Sequence, residues 1–595
     1  MIWNSCFIIS IIILFIAILY TGIVTKKYES GRILTPFNTV FLGVFLALFA
    51  GMVPIFVPML EGESGFLLKL VTFDFLTTVQ VFTVCVGPDL ILDNIGSIPA
   101  AISGAYSIYM ICLFFVAPVL TFGFLVSLFK NALADLFYKL HFRGDVYAFS
   151  ELNEKSLVLA QSIKNRHKNA LIVFTNVDRD EGDILSEHIE AAKELKAIIF
   201  QKDIVAVDFM KHSKKTQMNF FAIGETEGEN LVYALKLLEK YNKRKNTGLY
   251  VFSAGAEGEL LLANAPKGEI KVRRINEVRS LIYKFLFDEG NQIFESARPV
   301  NGKKEINAVV VGLGKYGTEL LRALTWFSQM DGYSIDIHAF DKDELAEEKF
   351  AALCPELMSE KYNGVSIPGE SEYSIHIHSG VDVRTKSFAD HMAELSKTTF
   401  VFVCLGDDAD NINQSANIRM LCARAGCSPI IKTIVYSVEE KDALSGTENY
   451  RGQAYGIEAI GDFESTYSEE ILIGSELEKL ALERHLKWGQ EEEFWQYEYN
   501  YRSSMASAIH RKARIACGIP GADKKDTELT VEERDNIEIL EHKRWNAYMR
   551  SEGYVYSGSP EKSSRNDLAK MHHDLVDFES LTEEEKRKDS IVGTN

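Results

Sequence analysis

Apolar runs crowd the first 130 residues of this 595-residue chain, and a charged remainder follows them. Residues 7–24, 37–60 and 106–129 are each long enough to cross a bilayer, which takes about 20 apolar residues; residues 67–86 form a fourth, less clean run. In hydrocarbon the backbone must satisfy its own hydrogen bonds, so runs of this kind can only be helices. A cleaved leader is not expected, because no A-x-A-like site follows the first run and further spans do. Lys26, Lys27 and Arg32 follow the first run, Glu61 and Glu63 the second, and Lys130, Lys139 and Arg143 the last. The positive-inside rule places the N-terminus outside and both basic stretches in the cytoplasm. Three crossings satisfy those charges and make residues 67–86 a re-entrant loop. A four-span anchor with an inside N-terminus remains the alternative.

Within the fourth run, Thr83-Val84-Cys85-Val86-Gly87-Pro88-Asp89 loosely resembles the potassium-channel filter TVGYGD, in which backbone carbonyls replace an ion's hydration shell. The resemblance makes Thr83, Val84, Gly87 and Asp89 pore candidates. Cys85 in place of a glycine, Val86 in place of the tyrosine and Pro88 before the acid remove support for potassium selectivity. Asp74 and Gln80 keep a polar pathway in view, since ionisable groups at membrane depth are costly and often functional.

A second constraint is the stretch Val309-Val310-Val311-Gly312-Leu313-Gly314-Lys315-Tyr316-Gly317, followed by a helical pattern, a second apolar run and Asp341. It predicts a nucleotide-binding β-α-β unit. Gly312 permits a tight turn, Gly314 lets backbone approach a pyrophosphate, and Gly317 lets the helix pack on the sheet. Asp341 suits a ribose hydroxyl and would repel a 2′-phosphate, which favours NAD or a related adenine nucleotide. Gly406 and Asp407, after the strand-like run 400–405, are expected at the lip of the same crevice. Residues 144–174 repeat the layout, with Glu151, Asn153 and Ser156 where Gly312, Gly314 and Gly317 stand. A glutamate beside that turn would repel a pyrophosphate, so the first copy reads as structural. Runs at 197–200, 220–223, 249–253, 374–378 and 430–436 continue the strand alternation expected of buried parallel sheets.

Membrane helices followed by two such units resemble the RCK (KTN, Trk N-terminal) domains of cation channels and transporters, over roughly residues 144–475. The resemblance implies nucleotide or ion binding that acts on a pore, and only Gly312, Gly314, Gly317 and Asp341 match its nucleotide-contacting pattern.

The C-terminal residues carry Leu540-Glu541-His542-Lys543-Arg544-Trp545, then Gly553-Tyr554-Val555-Tyr556, then Lys570-Met571-His572-His573 and the segment 581–589. This order resembles the ryanodine-receptor repeat (RyR) domain, with Tyr554 where that family usually has Trp. The resemblance implies a sensor of an ADP-ribose-like signal: Trp545, Tyr554 and Tyr556 to stack a base, and Arg544, Lys570 and His572 to pair with phosphates. A core role for Trp545 and Tyr554 is the competing reading.

The expected fold class is therefore multidomain: membrane helices in 1–140, a degenerate Rossmann-like α/β domain in 141–298, a nucleotide-binding one in 299–475, a helical connector in 476–526 with a polar linker at its end, and a small α-helical RyR-like domain in 527–595. A net charge of −19 argues against nucleic-acid polymers. The eight cysteines are scattered without metal-ligand spacing and read as reduced. His542, His572 and His573 lack a second ligand cluster, so no metal site is expected. No catalytic motif appears, and no enzymatic activity is expected; an NAD-dependent oxidoreductase would need a placed acid that the motifs do not supply. The expectation is a multi-pass protein of a bacterial inner membrane with cytoplasmic C-terminal domains. It would be a homo-oligomer that senses a small nucleotide and acts as a channel-like effector in phage defence, or else a housekeeping cation-transport regulator.

Overall fold

The computed structural model describes residues 2–27, 34–141, 144–177, 182–209, 216–358, 361–362, 365–366, 372–473 and 475–586. Arg32, Arg143 and the end of the closing C-terminal segment at Asp589 lie outside the described residues. The chain divides into two compact units: Met1–Phe142 with Val173–Glu181 and Ala197–His212, and Arg143–Ile172 with Gly182–Lys196 and Ser213–Asn595.

In the first unit, three helices are long and apolar enough to cross a membrane, over Ile2–Thr21, Thr39–Leu60 and Ser103–Phe122. Small residues set their approach: a Cβ on Gly43 would stand 2.3 Å from the Ala17 Cβ, and one on Gly51 would meet the Met110 sulfur at 2.6 Å. Polar side chains spend their donors on neighbouring backbone, Ser10 Oγ on Ala47 O at 2.6 Å and the Tyr106 hydroxyl on Gly51 O at 2.7 Å. The fourth apolar run forms a 17-residue helix, Phe66–Phe82. At 1.5 Å per residue that helix is about 26 Å long, short of the roughly 30 Å hydrocarbon core. Its chain then leaves helical geometry, with Val84 at φ 61°, before a short helix Asp89–Asp93.

The first sheet comprises β1 (Val146–Phe149), β2 (Leu171–Phe174), β3 (Ile198–Ile199), β4 (Met218–Ala222), β5 (Thr247–Phe252) and β6 (Ile270–Ile275). Its order is β3-β2-β1-β4-β5-β6. The second comprises β7 (Arg298–Val300), β8 (Lys303–Val311), β9 (Tyr333–Asp341), β12 (Tyr373–Ser379), β13 (Phe400–Val403), β14 (Ile430–Ile434) and β15 (Ile457–Ile460); a small hairpin of β10 (Lys361–Tyr362) and β11 (Val365–Ser366) precedes β12. Its order is β12-β9-β8-β13-β14-β15, all pairs parallel, with β7 turned antiparallel onto β8 through Asn301 and Gly302, both at positive φ. Both sheets follow the doubly wound order 3-2-1-4-5-6, whose switch point lies between the carboxyl ends of the first and fourth strands.

The alternation of β8 and β13 explains why helices cover both faces. Val309, Val311, Val401 and Val403 point into one core with Phe388, Met392 and Ile418. Ala308, Val310, Phe400 and Phe402 point into another. That second core also contains Leu281, Phe285 and Leu286 of the helix Glu277–Glu289, which the sequence reading placed in the first α/β domain, and Ile509, Tyr548, Met549 and Leu575 of the C-terminal part. Ile519 and Ala522, in the segment read as a polar linker, are buried in it too. The C-terminal residues thus share a core with the second sheet instead of building a separate one. They form helices Glu476–His485, Glu498–Ala516 and Val531–Ser551, then the short parallel pair β16 (Val555–Tyr556) and β17 (Met571–His572).

Candidate functional sites

At the second switch point each glycine of the motif has a distinct reason. Gly312 turns off β8 at φ 89°, where an added Cβ would lie 2.6 Å from Cys404 O. A Cβ on Gly317 would lie 1.8 Å from Gly312 O, so only glycine lets this helix start directly on the loop. Gly314, the N-cap of the helix Lys315–Phe327, has nothing within 4 Å of such a Cβ, and no side chain caps the helix. The loop is thus open at Gly314 and uncapped by any side chain, the ordinary requirement of a helix start that takes a phosphate. Gly406 (φ 93°) is likewise open, while Asp407 caps the helix Asp408–Arg424 by accepting the Asp410 N–H at 3.0 Å. Asp341 spends its carboxylate on its own loop, accepting Leu313 N–H at 2.6 Å and Asp343 N–H at 2.8 Å. A ribose would have to share or displace those bonds.

The first switch point is closed by its own side chains. Asn153 caps the helix Glu154–Arg166 in a reciprocal box with Ser156, and its amide donates to Ile223 O at 3.1 Å. Glu151 reaches across to the β4 side, 2.8 Å from where a Gly224 Cβ would be. Burial, then the charge of Glu225, pushes the Glu151 carboxyl above its ordinary range.

A third site lies among the C-terminal helices. A cavity of about 400 Å³ is lined by Arg484, Ser507, Glu541, Arg544, Trp545 and His572, among others. Arg544 donates through Nε and Nη2 to Glu541 Oε1 at 3.1 and 2.9 Å, and Arg514 stands 3.4 Å from Oε2. Ser507 donates to the same carboxylate at 3.0 Å and receives Arg484 Nε at 2.9 Å. All four charged side chains are at most 5% exposed. Three guanidiniums thus act on the one Glu541 carboxylate. Burial is the main force drawing Arg484 down to about 9 and Arg514 to about 10. Burial opposes ionisation of Glu541, yet Arg544, Arg514 and Arg484 hold it at about 2. The Arg544 Nη1 is buried without a hydrogen-bond partner among the described residues.

Trp545 forms one wall, half-buried, its indole N–H donating to the Tyr499 hydroxyl at 3.3 Å and its ring meeting His572 edge-on at 5.0 Å. Of the six residues expected to hold a signal ligand, Arg544, Trp545 and His572 line this cavity. Tyr554, Tyr556 and Lys570 do not line it: both tyrosines pack against the shared core, and Lys570 donates to Glu552 O at 2.8 Å. Sequence reasoning missed Arg484, Ser507, Arg514 and Glu541, which come together from three helices far apart in the chain.

The glycine-loop helix is tied to this region. Arg322 donates to Ser551 O at 2.5 Å and pairs with Glu552 at 2.9 Å, and Glu552 also binds Arg279 and Arg502. These arginines hold the Glu552 carboxyl far below its usual range against the cost of its burial.

Of the pore candidates, Thr83, Val84, Gly87 and Asp89 are exposed in the single chain, the first three within the non-helical stretch and Asp89 opening the short helix. Asp74 is fully buried among the N-terminal apolar helices, and neither carboxylate oxygen has a hydrogen-bond partner among the described residues.

No family model matches this chain, and no curated protein matches it. Among solved structures it is similar to a point mutant of GsuK, at 13% identity and a TM-score of 0.32, over 74% of this chain and 98% of that one. It is also similar to a dipicolinate synthase chain from Bacillus halodurans, at 12% identity and a TM-score of 0.19, over 56% of this chain and 93% of that one.

Proposed function

We propose that this chain is a membrane-anchored sensor of a phosphate-bearing small ligand, an ADP-ribose-like nucleotide, whose binding acts on the membrane helices. The observation that carries the reading is the buried Arg544 guanidinium, whose Nη1 has no hydrogen-bond partner among the described residues, beside a cavity that Arg484 and Trp545 also line. A buried donor without an acceptor is costly, and an anion entering the cavity would accept from it. An indole wall beside that charge is the pairing a nucleotide base and its phosphates use. The cavity falls within the range of small-molecule sites.

Ligand binding would reach the glycine-loop helix through Glu552 and Arg322. It would act on the membrane helices by favouring one of two states, for which it needs unequal affinities. The chain has no assigned catalytic step in this reading. Basic flanks favour a cytoplasmic position for its α/β domains in a bacterial cell, and a pore built from the 83–89 stretch would require several chains around one axis.

The open, uncapped loop at Gly314 favours a second reading, a cation-transport regulator that binds NAD or a related adenine nucleotide there. Ligand location separates the two. A signal nucleotide held at Arg544 supports a defence effector, whereas an adenine nucleotide held only at Gly314 supports a housekeeping regulator. The test of output is ion flux across liposomes carrying the full-length protein, with and without ADP-ribose, NAD and cyclic nucleotides. Ligand-dependent flux abolished by Arg544→Gln is the expected result; flux indifferent to every ligand contradicts a gated output.

A further inference from the structure

The outer strands of the second sheet carry histidines in a pattern that no nucleotide reading uses. In the parallel register of β9 and β12, Asp336 lies beside Ser374, His338 beside His376 and Phe340 beside His378. Alternation puts Asp336 and His338 on one face with His376 and His378. The opposite face, with Ile335, Ile337, Ala339 and Ile377, is buried in the core. His391, on the helix Lys386–Glu394, meets His378 at 4.9 Å. Four of the chain's 13 histidines therefore meet on one edge patch.

We propose that Asp336, His338 and His376 bind one divalent transition-metal ion of the zinc type. Asp336 Oδ2 is 3.4 Å from His338 Nε2, and its Oδ1 is 3.2 Å from His376 Nε2; one donor atom from each of the three residues lies within 4.8 Å of the others. Nitrogen and oxygen donors about 2.0–2.1 Å from a tetrahedral zinc ion stand about 3.3 Å apart, which the two carboxylate–imidazole distances already match, each through a different oxygen of Asp336. Two imidazoles with one carboxylate select zinc-like ions over magnesium or calcium, which prefer oxygen alone. The surroundings orient the donors: His338 Nδ1 lies 3.0 Å from His378 Nε2, and Ser374 Oγ donates to Asp336 at 2.5 Å. His376 is half-exposed (52% of its side chain), which leaves the fourth position to water. The ion would clamp the edge strand β12 to β9, whose carboxyl ends lead into Gly380 and Asp341.

The experiment uses full-length protein in detergent, stripped with chelator and titrated with cobalt(II) followed by zinc, with bound metal counted by elemental analysis. Tetrahedral cobalt absorption at one ion per chain, displaced by zinc, is expected. His376→Asn, at an exposed position that leaves the core intact, should abolish the signal. His378→Gln, which alters only an orienting partner, should weaken binding by about 10–100-fold. His573→Asn, in the separate buried His572-His573-Asp574 group, should leave it unchanged. Absence of binding to the wild-type chain overturns the assignment, as does cobalt or zinc held with unchanged affinity by the His376→Asn chain or lost from the His573→Asn chain.

Discussion

The two switch points share a frame and differ in what fills it. In the first, Asn230 accepts the Gly224 N–H at 2.6 Å and donates to Phe252 O at 2.9 Å; in the second, Asn411 accepts the Leu405 N–H at 2.6 Å and donates to Ile434 O at 3.0 Å. Glu227 accepts the N–H groups of Ala254 and Gly255, and Asp408 those of Tyr436 and Ser437. These matched bonds make the domains structural repeats down to single side chains. On the same alignment Glu225 stands where the second has Gly406, and Glu151, Asn153 and Ser156 stand where it has Gly312, Gly314 and Gly317. The frame is kept where it holds strands together. The lip differs: Glu151, Glu225, Asn153 and Ser156 fill in the first copy what the glycines leave open in the second.

The comparison can be broken most severely at Gly317. A Cβ there collides with backbone at 1.8 Å, so Gly317→Val should cost about 4 kcal/mol or more in thermal or denaturant unfolding. Ser156→Ala, at the aligned position, should cost only about 1 kcal/mol through its cap. Equal losses would mean the two turns are built alike. Asn230→Ala and Asn411→Ala should each cost about 2 kcal/mol, since each strands a buried N–H and carbonyl. A large loss at one and none at the other would sink the shared frame. Gly314→Glu, which places an acid at the second lip and whose Cβ would meet no atom, should change stability by less than about 0.5 kcal/mol while abolishing any adenine-nucleotide binding at that loop.

A pH-dependent effect is expected at Glu151. Its carboxyl binds a proton more readily folded than unfolded, so it favours the fold below its ordinary value of 4.5 and loses that contribution as pH rises through the raised value. Glu151→Gln should therefore stabilise the protein near neutral pH, by no more than about 1 kcal/mol after solvent screening, and flatten the pH dependence of its unfolding midpoint above about pH 4.5. An unchanged pH profile would mean Glu151 is ionised and solvated.

The frame was legible in the chain because periodicity and glycine spacing are local. The apolar runs, both β-α-β starts and the order of the central strands could be read from such signals. The pair β7–β8 escaped because its Asn301-Gly302 turn joins the three-residue strand Arg298–Val300 to the charged start of β8, where no apolar alternation marks a hairpin. Packing is not local in the same way: Leu281 and Phe285 follow the first sheet in sequence yet are buried against the second. Arg484 and Arg514 were invisible because they lie on helices separate from that of Arg544 and converge with it only in space. Asp336 and His376 are likewise brought together only by strand register. The engagement of Asp341 with Leu313 is a loop conformation that no spacing rule encodes.

The account stands on the cavity at Arg544. Its most direct test is calorimetric titration of full-length wild-type, Arg544→Gln and Gly314→Glu proteins with ADP-ribose and, separately, NAD. The account predicts saturable ADP-ribose binding to the wild-type and Gly314→Glu chains that is lost with Arg544→Gln. ADP-ribose binding that survives Arg544→Gln but disappears with Gly314→Glu, or no binding of ADP-ribose at all, would contradict it.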